Sequence, residues 1–248
     1  MARVIKKENP LREKYDKLKK TIAACFSIAG VCFLLFLLNM YRMLGLDLSF
    51  NMILMLPMGI SLMVGVALLN KKNSIGSGLE GEEATAWLLS QLPDSYTCYQ
   101  NLSVSYQDKK SELDLVVTGP TGIFIVEVKN LNGTVHGSYC QDQWRQDKIG
   151  QKGGEYSKSF YSPIKQVGTH TWRLANWLRD RQIFTYVNSM VYFSNRGTPV
   201  YLSGSPDKIP VYAAFKGEES QLIQRILNNN TQLTSGALNR INQALEQL

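Results

Sequence analysis

The sequence predicts an α/β protein in which a mixed β-sheet is flanked by helices and preceded by a hydrophobic two-helix hairpin. Three observations support this prediction. Two long uncharged stretches occupy residues 21–38 and 48–69. Two short runs rich in Val, Ile and Phe, residues 113–118 and 122–128, flank a Gly-Pro turn and are typical of a β-hairpin. From residue 80 onwards the patterns follow the order helix, strand, hairpin, helix, strand, which is typical of an α/β sandwich.

The two uncharged stretches are each near the ~20 residues that a helix needs to span the hydrocarbon core of a membrane. Residues 1–20 carry eight Lys or Arg against three Asp or Glu, whereas residues 71–248 carry 18 against 16. Most of the net charge of +7 therefore lies beside the first stretch. By the positive-inside rule, the basic segment 1–20 and the chain after the transmembrane hairpin 21–70 are expected to be cytoplasmic. A buried helical hairpin of a soluble protein is the alternative.

The rest of the chain is expected to form one globular domain with additional helices. With two His, four Cys and no Cys-x-x-Cys pair, a zinc site is not expected. Small polar residues predict a linker at 71–78, followed by the domain at 79–215 and C-terminal helices packed on it at 216–248. The patterns predict helices at 80–92, 163–181, 218–227 and 235–248, strands at 96–102, 186–193 and 211–215, and loops over most of 131–161.

Two carboxylates and one lysine stand out in the predicted β-hairpin. If Thr118 pairs with Ile123 across the turn, Asp114 lies opposite Glu127, and Lys129 shares their face of the sheet. Directly opposed like charges destabilise a sheet, so this pair needs a compensating cation. A hard divalent ion with oxygen ligands, such as Mg²⁺, is the natural candidate. The alternative is a solvated face on which Lys129 neutralises one acid, but apolar residues on both faces favour a buried site.

An ordered set of motifs surrounds this hairpin. The motifs are Gly78-x-x-Gly81-Glu82 before a helix, Glu112-Leu113-Asp114 on a strand, the run from Gly122 to Asn130 that contains Glu127-Val128-Lys129, and then Gly133, Trp144, Ser162-Pro163, Gln166 and His170. Together they resemble the NERD (nuclease-related) domain of the PD-(D/E)xK, restriction-endonuclease-like superfamily, over residues 76–195. The resemblance implies a restriction-endonuclease-like mixed sheet flanked by helices.

The resemblance also implies the chemistry of the site. In that superfamily the Asp and the Glu of the E-x-K motif bind Mg²⁺, and these correspond to Asp114 and Glu127. The Val128 carbonyl would be a third ligand, and Mn²⁺ is an alternative ion. Lys129 would assist the attacking water or stabilise charge on phosphorus.

Three further residues match the resemblance less uniquely. Glu82 would support the metal or its waters, although an acid in the first turn of a helix also suits the helix dipole. Gln166, another catalytic candidate, and His170 are four residues apart and share one helix face, from which they would contact the substrate or the catalytic centre. Because His170 stands where related nucleases carry Tyr, a packed or surface histidine is the alternative for it.

A basic and aromatic segment bears on the substrate. Residues 145–181 carry eight Lys or Arg against three acidic residues, with five aromatic residues between them. Basic groups that neutralise phosphates and rings that stack on bases are typical of proteins that bind single-stranded or flexible nucleic acid. The residues expected to bind nucleic acid are Lys148, Lys152, Lys158, Lys165 and His170. The alternative is a solvated helix face with Trp172 and Trp177 turned to the core.

The sequence therefore favours a membrane-anchored, Mg²⁺-dependent nuclease that hydrolyses phosphodiester bonds of DNA or RNA at the cytoplasmic face. The expected partners are nucleic acid and, through the two hydrophobic helices, the lipid bilayer. A catalytically silent module that binds nucleic acid or a protein at the membrane is the first alternative, because a fold does not guarantee chemistry. A membrane scaffold without a nucleic-acid role is the second.

Overall fold

The computed structural model describes residues 1–41, 48–150, 153–205 and 208–248. The chain divides into two units, one comprising Met1–Glu8 and Glu80–Leu248 and the other Asn9–Leu79. The strands are β1 (Arg3–Lys6), β2 (Thr97–Tyr106), β3 (Lys109–Gly119), β4 (Gly122–Lys129), β5 (Thr134–Ser138), β6 (Gln143–Ile149), β7 (Glu155–Tyr161), β8 (Val187–Phe193), β9 (Val200–Ser203) and β10 (Val211–Ala213). The helices are α1 (Pro10–Met40), α2 (Leu48–Ser90), α3 (Pro163–Asp180), α4 (Glu219–Leu227) and α5 (Ser235–Glu246), with a 3₁₀ turn at Ala214–Lys216.

The strands form two mixed sheets, as expected for an α/β fold. The larger sheet has the order β1-β2-β3-β4-β8-β10, and the smaller one has the order β7-β6-β5-β9. In the larger sheet β3 is antiparallel to both β2 and β4, whereas the β1–β2, β4–β8 and β8–β10 pairs are parallel. Strand β4 therefore lies in the middle of the sheet, with neighbours on both edges.

Two apolar cores cover the two faces of the larger sheet. On one face, residues of α3, α5 and the smaller sheet pack against Val116, Ile123 and Ile125. On the other face, the last turns of α2 and helix α4 pack against the alternate residues of the same strands, including Phe124 and Val126. Because successive residues of β4 enter opposite cores, this strand is apolar on both sides, as the sequence predicts.

The second unit is a pair of long apolar helices. Both α1 and the described part of α2 contain stretches long and apolar enough to cross a membrane, by length and composition. Large apolar side chains such as Phe33, Leu34 and Met63 are exposed. A buried hydrogen bond from Asn39 Nδ2 to Asn51 Oδ1, 3.0 Å long, joins the two helices. Most of the predicted link between them, residues 42–47, lies outside the described residues.

Two local expectations were wrong. The predicted linker 71–78 lies within α2, which runs on through most of the separate helix expected at 80–92 and ends at Ser90. A Cβ at Gly76 would lie 3.1 Å from the Tyr15 ring, so small residues here allow close helix packing and do not mark a loop. Helix α1 begins at Pro10, within the basic segment, and is preceded by β1, which pairs with β2.

The segment 131–161 also differs from expectation, because it forms β5, β6 and β7 where loops were predicted. Strand β7 is exposed along nearly its whole length, so it lacks an apolar alternation. Strand β6 does alternate, but one of its inward residues is the polar Gln146, which is buried because its amide donates to the Asn132 carbonyl at 2.7 Å. A strand with polar residues at its buried positions lacks the alternation of apolar and polar residues, so a prediction from hydrophobicity misses it.

Candidate active site

The β3–β4 hairpin has the predicted register. Thr118 pairs with Ile123, and the ladder continues as far as Leu115 and Val126. Asp114 and Glu127 come next, at the point where the ladder stops. There the Asp114 Oδ2 atom accepts a hydrogen bond of 2.8 Å from the backbone amide of Val128. The carboxylate of Asp114 therefore takes the place of a ladder partner and lies against β4, close to Glu127.

One side chain beside Asp114 departs from the alternation expected of a regular strand. A regular alternation would put Leu113 on the side away from the carboxylates, yet it belongs to the core that contains Ile123 and Ile125. On the neighbouring strand β2, Asn101 has a positive φ of 59° and lies between the two residues that pair with Leu113 and Leu115. The left-handed residue interrupts the alternation of the sheet at the position of the acid pair.

The Lys129 ammonium joins Glu127 and Gln166 in a small cluster. The Lys129 ammonium donates to Glu127 Oε1 at 2.7 Å and to Gln166 Oε1 at 3.0 Å. Glu127 is fully buried, and the Lys129 side chain is 20% exposed. Helix α3 begins with Ser162-Pro163, so Gln166 lies in its first turn and faces the end of β4. The structure thus brings Glu127, Lys129 and Gln166 together, as the sequence predicts.

His170 completes this side of the cluster. Its Nε2 atom lies 3.6 Å from Glu127 Oε2 and 3.5 Å from the amide nitrogen of Gln166. Burial, together with the positive charges of Lys129 and Arg173, lowers the pKa of His170 to about 4. His170 is therefore neutral at pH 7 and does not form an ion pair with Glu127 there. It was expected to bind nucleic acid, and the structure places it in the buried wall of the acid cluster.

The surroundings of the two carboxyl groups disfavour their ionised forms. Burial and the neighbouring charge of Glu127 raise the pKa of Asp114 to about 7, although Lys129 and the Val128 amide oppose the shift. Burial also raises the pKa of Glu127, against the opposing effect of Lys129. The Glu127 Oε2 atom is buried without a hydrogen-bond partner. A buried, unpaired carboxylate oxygen beside a second acid is costly unless a cation is bound there.

Glu82 approaches the pair from the end of α2. Its charge contributes to the raised pKa of Glu127. The preceding residue, Gly81, explains how the helix comes so near, because a Cβ there would lie 2.5 Å from the Asn130 Cβ and 2.8 Å from the Ser194 Oγ. The Gly-Glu motif therefore combines a close helix–sheet contact with an acid placed beside Glu127.

The residues expected to bind nucleic acid are dispersed over three elements. Lys148 lies on β6, Lys158 on β7 and Lys165 on α3, where its ammonium is 3.5 Å from the Asp142 carboxylate. Lys152 lies outside the described residues. Lys148 and Lys158 share one face of the β6–β7 hairpin, because Lys148 pairs with Tyr156 and Lys158 pairs with Gln146.

The two tryptophans of α3 differ from each other. Trp177 is buried, with the Arg181 guanidinium 3.7 Å from its ring centroid. Trp172 is 51% exposed, so the alternative that both rings face the core is wrong for it. The sequence reasoning also missed Arg173, whose charge acts on His170. The signal was available, because Gln166, His170 and Arg173 continue one helical spacing of i, i+4 and i+7.

The acid pair has the chemical character of a site for a hard divalent ion. Within the described ranges, no group of three His, Cys, Asp or Glu side chains is close enough to hold a metal. The donors that are present are two carboxylates with raised pKa values and the backbone of β4. Of the two, the Glu127 carboxylate is buried and has an unpaired oxygen. Carboxylate and carbonyl oxygens fit Mg²⁺ or Mn²⁺, which complete their coordination with water and substrate.

Comparison with known proteins finds a family match for part of the chain. The family model described as NERD, the nuclease-related domain, matches residues 77–194, close to the span expected from the motifs. An uncharacterized protein of Bacillus anthracis is 33% identical over 109 residues, which make up 43% of this chain and 48% of that relative. The chain thus covers about half the length of that relative. No solved structure gives a significant match.

Proposed function

We propose that the protein is a metal-dependent nuclease that hydrolyses phosphodiester bonds of DNA or RNA, because residues 77–194 match the family model of the nuclease-related domain. The observation that carries the proposal is the acid pair Asp114 and Glu127 with Lys129 beside it. Asp114, Glu127 and the Val128 carbonyl would hold the ion. When bound, Mg²⁺ or Mn²⁺ would polarise a phosphoryl oxygen and lower the pKa of a bound water.

Lys129 would supply positive charge near the reacting phosphate. In the structure its ammonium is shared between Glu127 Oε1 and Gln166 Oε1. Gln166 therefore gives the ammonium a second acceptor, which keeps it in the site when Glu127 is engaged elsewhere. A lysine held in this way stabilises negative charge that develops on phosphorus or on the attacking water. Gln166 is on this account a positioning residue, and Glu82 adds negative charge that favours cation binding.

A cleavage assay tests the proposal. The full chain in detergent is incubated with plasmid, single-stranded DNA and RNA, in Mg²⁺, Mn²⁺ or EDTA. Cleavage is expected with either ion, and Glu127→Gln or Lys129→Met should lower the rate at least about 100-fold, since each removes a charge that acts in the transition state. Asp147→Asn, in the smaller sheet, is the control and should keep the rate. Equal rates in the wild type and both site variants would contradict the proposal.

We also propose that α1 and α2 anchor the domain to the membrane, with the N-terminus and the domain both cytoplasmic. The pairing of β1 with β2 supports this topology, because these strands precede α1 and follow α2, so the chain leaves and returns to the same sheet. An even number of crossings satisfies that pairing. In intact cells an impermeant thiol reagent should label Gly45→Cys but not the exposed Cys140. Labelling of Cys140 before lysis would contradict this orientation.

A catalytically silent module is the second candidate. Two observations favour it: within the described residues the acid pair lacks a third clustered metal-binding side chain, and Lys129 already neutralises Glu127. Such a module should bind nucleic acid equally well in Mg²⁺ and in EDTA, without cleavage. It should also gain no thermal stability from Mg²⁺ that depends on Asp114. A nuclease should show the opposite in both measurements.

A further inference from the structure

Helix α3 presents two neighbouring rows of side chains that differ by one residue in register. The first row is Gln166, His170 and Arg173, which faces the acid cluster and the β2–β3 hairpin. The second row is Lys165, Thr169 and Trp172, with the same spacing of i, i+4 and i+7, and all three are exposed. A shift of one residue turns the helix by about 100°. The exposed row therefore lies beside the row that faces the acid cluster.

Trp172 is the dominant feature of the exposed row. Its ring packs against Tyr106 in a T-shaped arrangement, with 5.3 Å between centroids and 80° between planes. In a T-shaped contact the edge of one ring lies against one face of the other, so the remaining ring faces are not covered by the contact. This agrees with the 51% exposure of Trp172. An indole that is half-exposed yet fixed in orientation is suited to receive a flat ligand.

The neighbourhood of Trp172 is rigid and basic. Arg173 donates to the Ser111 hydroxyl and, at 3.4 Å, to the Lys110 carbonyl, which fastens the β2–β3 hairpin to α3. Tyr106 pairs with Lys109 across a two-residue turn whose residues both have positive φ. Lys109 thus lies next to Tyr106, while Lys165 lies about 10 Å from Trp172 along the helix. Cations on both sides of an aromatic pair match a phosphate backbone with a base between two phosphates.

We propose that Trp172 and Tyr106 form a stacking platform for an unpaired base, and that Lys109 and Lys165 bind the flanking phosphates. The substrate class is therefore single-stranded nucleic acid, DNA or RNA, because bases of a duplex have their faces covered by neighbouring bases. Stacking on an aromatic side chain is tolerant of sequence and is a common mode of single-strand binding. This inference rests on the proposed nuclease function and names the substrate of that site.

The chain offers a matched control. Trp87, at 69% exposure, is a more exposed tryptophan of the same unit, and its helix packs on the opposite face of the larger sheet. On its helix, Glu83 and Glu80 precede it by four and seven residues, so its row is acidic where that of Trp172 is basic. Exposure alone predicts equal roles for both rings, whereas the platform predicts a role for Trp172 alone.

Binding in EDTA separates the platform from catalysis. Fluorescent dT12, U12 and a 12-base-pair duplex are titrated with the full chain in detergent, and anisotropy gives the affinity. The wild type should prefer the single strands. Trp172→Ala should weaken single-strand binding about tenfold or more, which corresponds to the loss of one stacked base. Trp172→Phe should retain most of the affinity, and Trp87→Ala should retain all of it. A difference between dT12 and U12 distinguishes DNA from RNA.

Three results would overturn the platform: unchanged single-strand affinity in Trp172→Ala, an equal loss in Trp87→Ala, or an equal loss for the duplex. Binding of the protein to anionic lipid vesicles that depends on Trp172, with no binding to oligonucleotides, would also overturn it. Failure of the nuclease proposal gives a different pattern. Glu127→Gln and the wild type would then show equal cleavage or none, while the Trp172 variants would still lose single-strand binding.

Discussion

Replacement of Asp114 by Asn tests whether the acid pair destabilises the domain in the absence of a cation. The Asp114 pKa of about 7 lies about three units above its ordinary value of 3.8. At about 1.4 kcal/mol per unit, full retention of this shift corresponds to about 4 kcal/mol. Because the Asp114 side chain is partly exposed, solvent screening reduces the expected effect to about 2 kcal/mol. Asn keeps the oxygen that accepts the Val128 amide and removes only the charge.

The pH dependence of this effect has a definite sign. A carboxyl whose pKa is raised by folding holds a proton in the native state that the unfolded chain has already released. The contribution of Asp114 to the stability of the wild type should therefore fall as the pH rises from about 4 to about 7, and the loss should be complete above that range. Asp114→Asn has no such titration. Its advantage over the wild type should be near zero at pH 4 and greatest at pH 8.

Thermal unfolding of the full chain in detergent and EDTA, followed by tryptophan fluorescence, measures this difference. An effect of 2 kcal/mol raises the midpoint by about 4–8 °C in a domain of this size. Mg²⁺ should stabilise the wild type but not the variant, since the ion binds the native acid pair. Asp147→Asn is the control, because a hydrogen bond from Ser157 lowers the Asp147 pKa, which reverses the sign. An equal gain at pH 4 and pH 8, or a loss at pH 8, would refute the reasoning.

Three further substitutions test individual contacts of the site. Gly81→Ala should lower stability by about 1–3 kcal/mol in urea unfolding, since its Cβ has no room, whereas Gly236→Ala, with open space, should not. Gln166→Ala should lower kcat about tenfold with little change in KM, because Lys129 loses an acceptor, while Asn176→Ala on the same helix should leave both unchanged. His170→Gln should abolish the part of acid destabilisation between pH 6.5 and 4, since a histidine with a lowered pKa stabilises the native state only above that range.

The acid pair could be predicted because it depends on short-range structure. The turn sets the register of two adjacent strands, and that register alone brings Asp114 and Glu127 to neighbouring positions. Gln166 could be predicted for a similar reason, since its spacing of four residues from His170 places both side chains on one helix face. The contact between His170 and Glu127 was harder to foresee, because it depends on how α3 packs across the sheet. The tight approach at Gly81 is also a tertiary contact that sequence periodicity does not contain.

The smaller sheet could not be predicted from hydrophobic pattern. Strand β7 buries little, and β6 mixes Trp144 with the buried but polar Gln146. The smaller sheet is stabilised by the pairing of its strands and by the Trp144 ring, which stacks on Phe193 of the larger sheet at 6.2 Å between centroids. Since Phe193 pairs with Lys129 on the adjacent strand, the smaller sheet also supports the position of a site residue.

Strand β1 was missed for a reason that bears on the whole protein. Its partner, β2, lies more than 90 residues away in sequence, beyond both hydrophobic helices, so no local pattern connects them. The segment that contains β1 also contacts the end of α5, through the Arg3–Glu246 ion pair at 3.5 Å and a hydrogen bond from Lys7 Nζ to the Glu246 carbonyl. The hydrophobic hairpin is therefore an insertion between two strands of one sheet. Because loop closure over that length carries an entropic cost, β1 is expected to pair only after α1, α2 and β2 have formed.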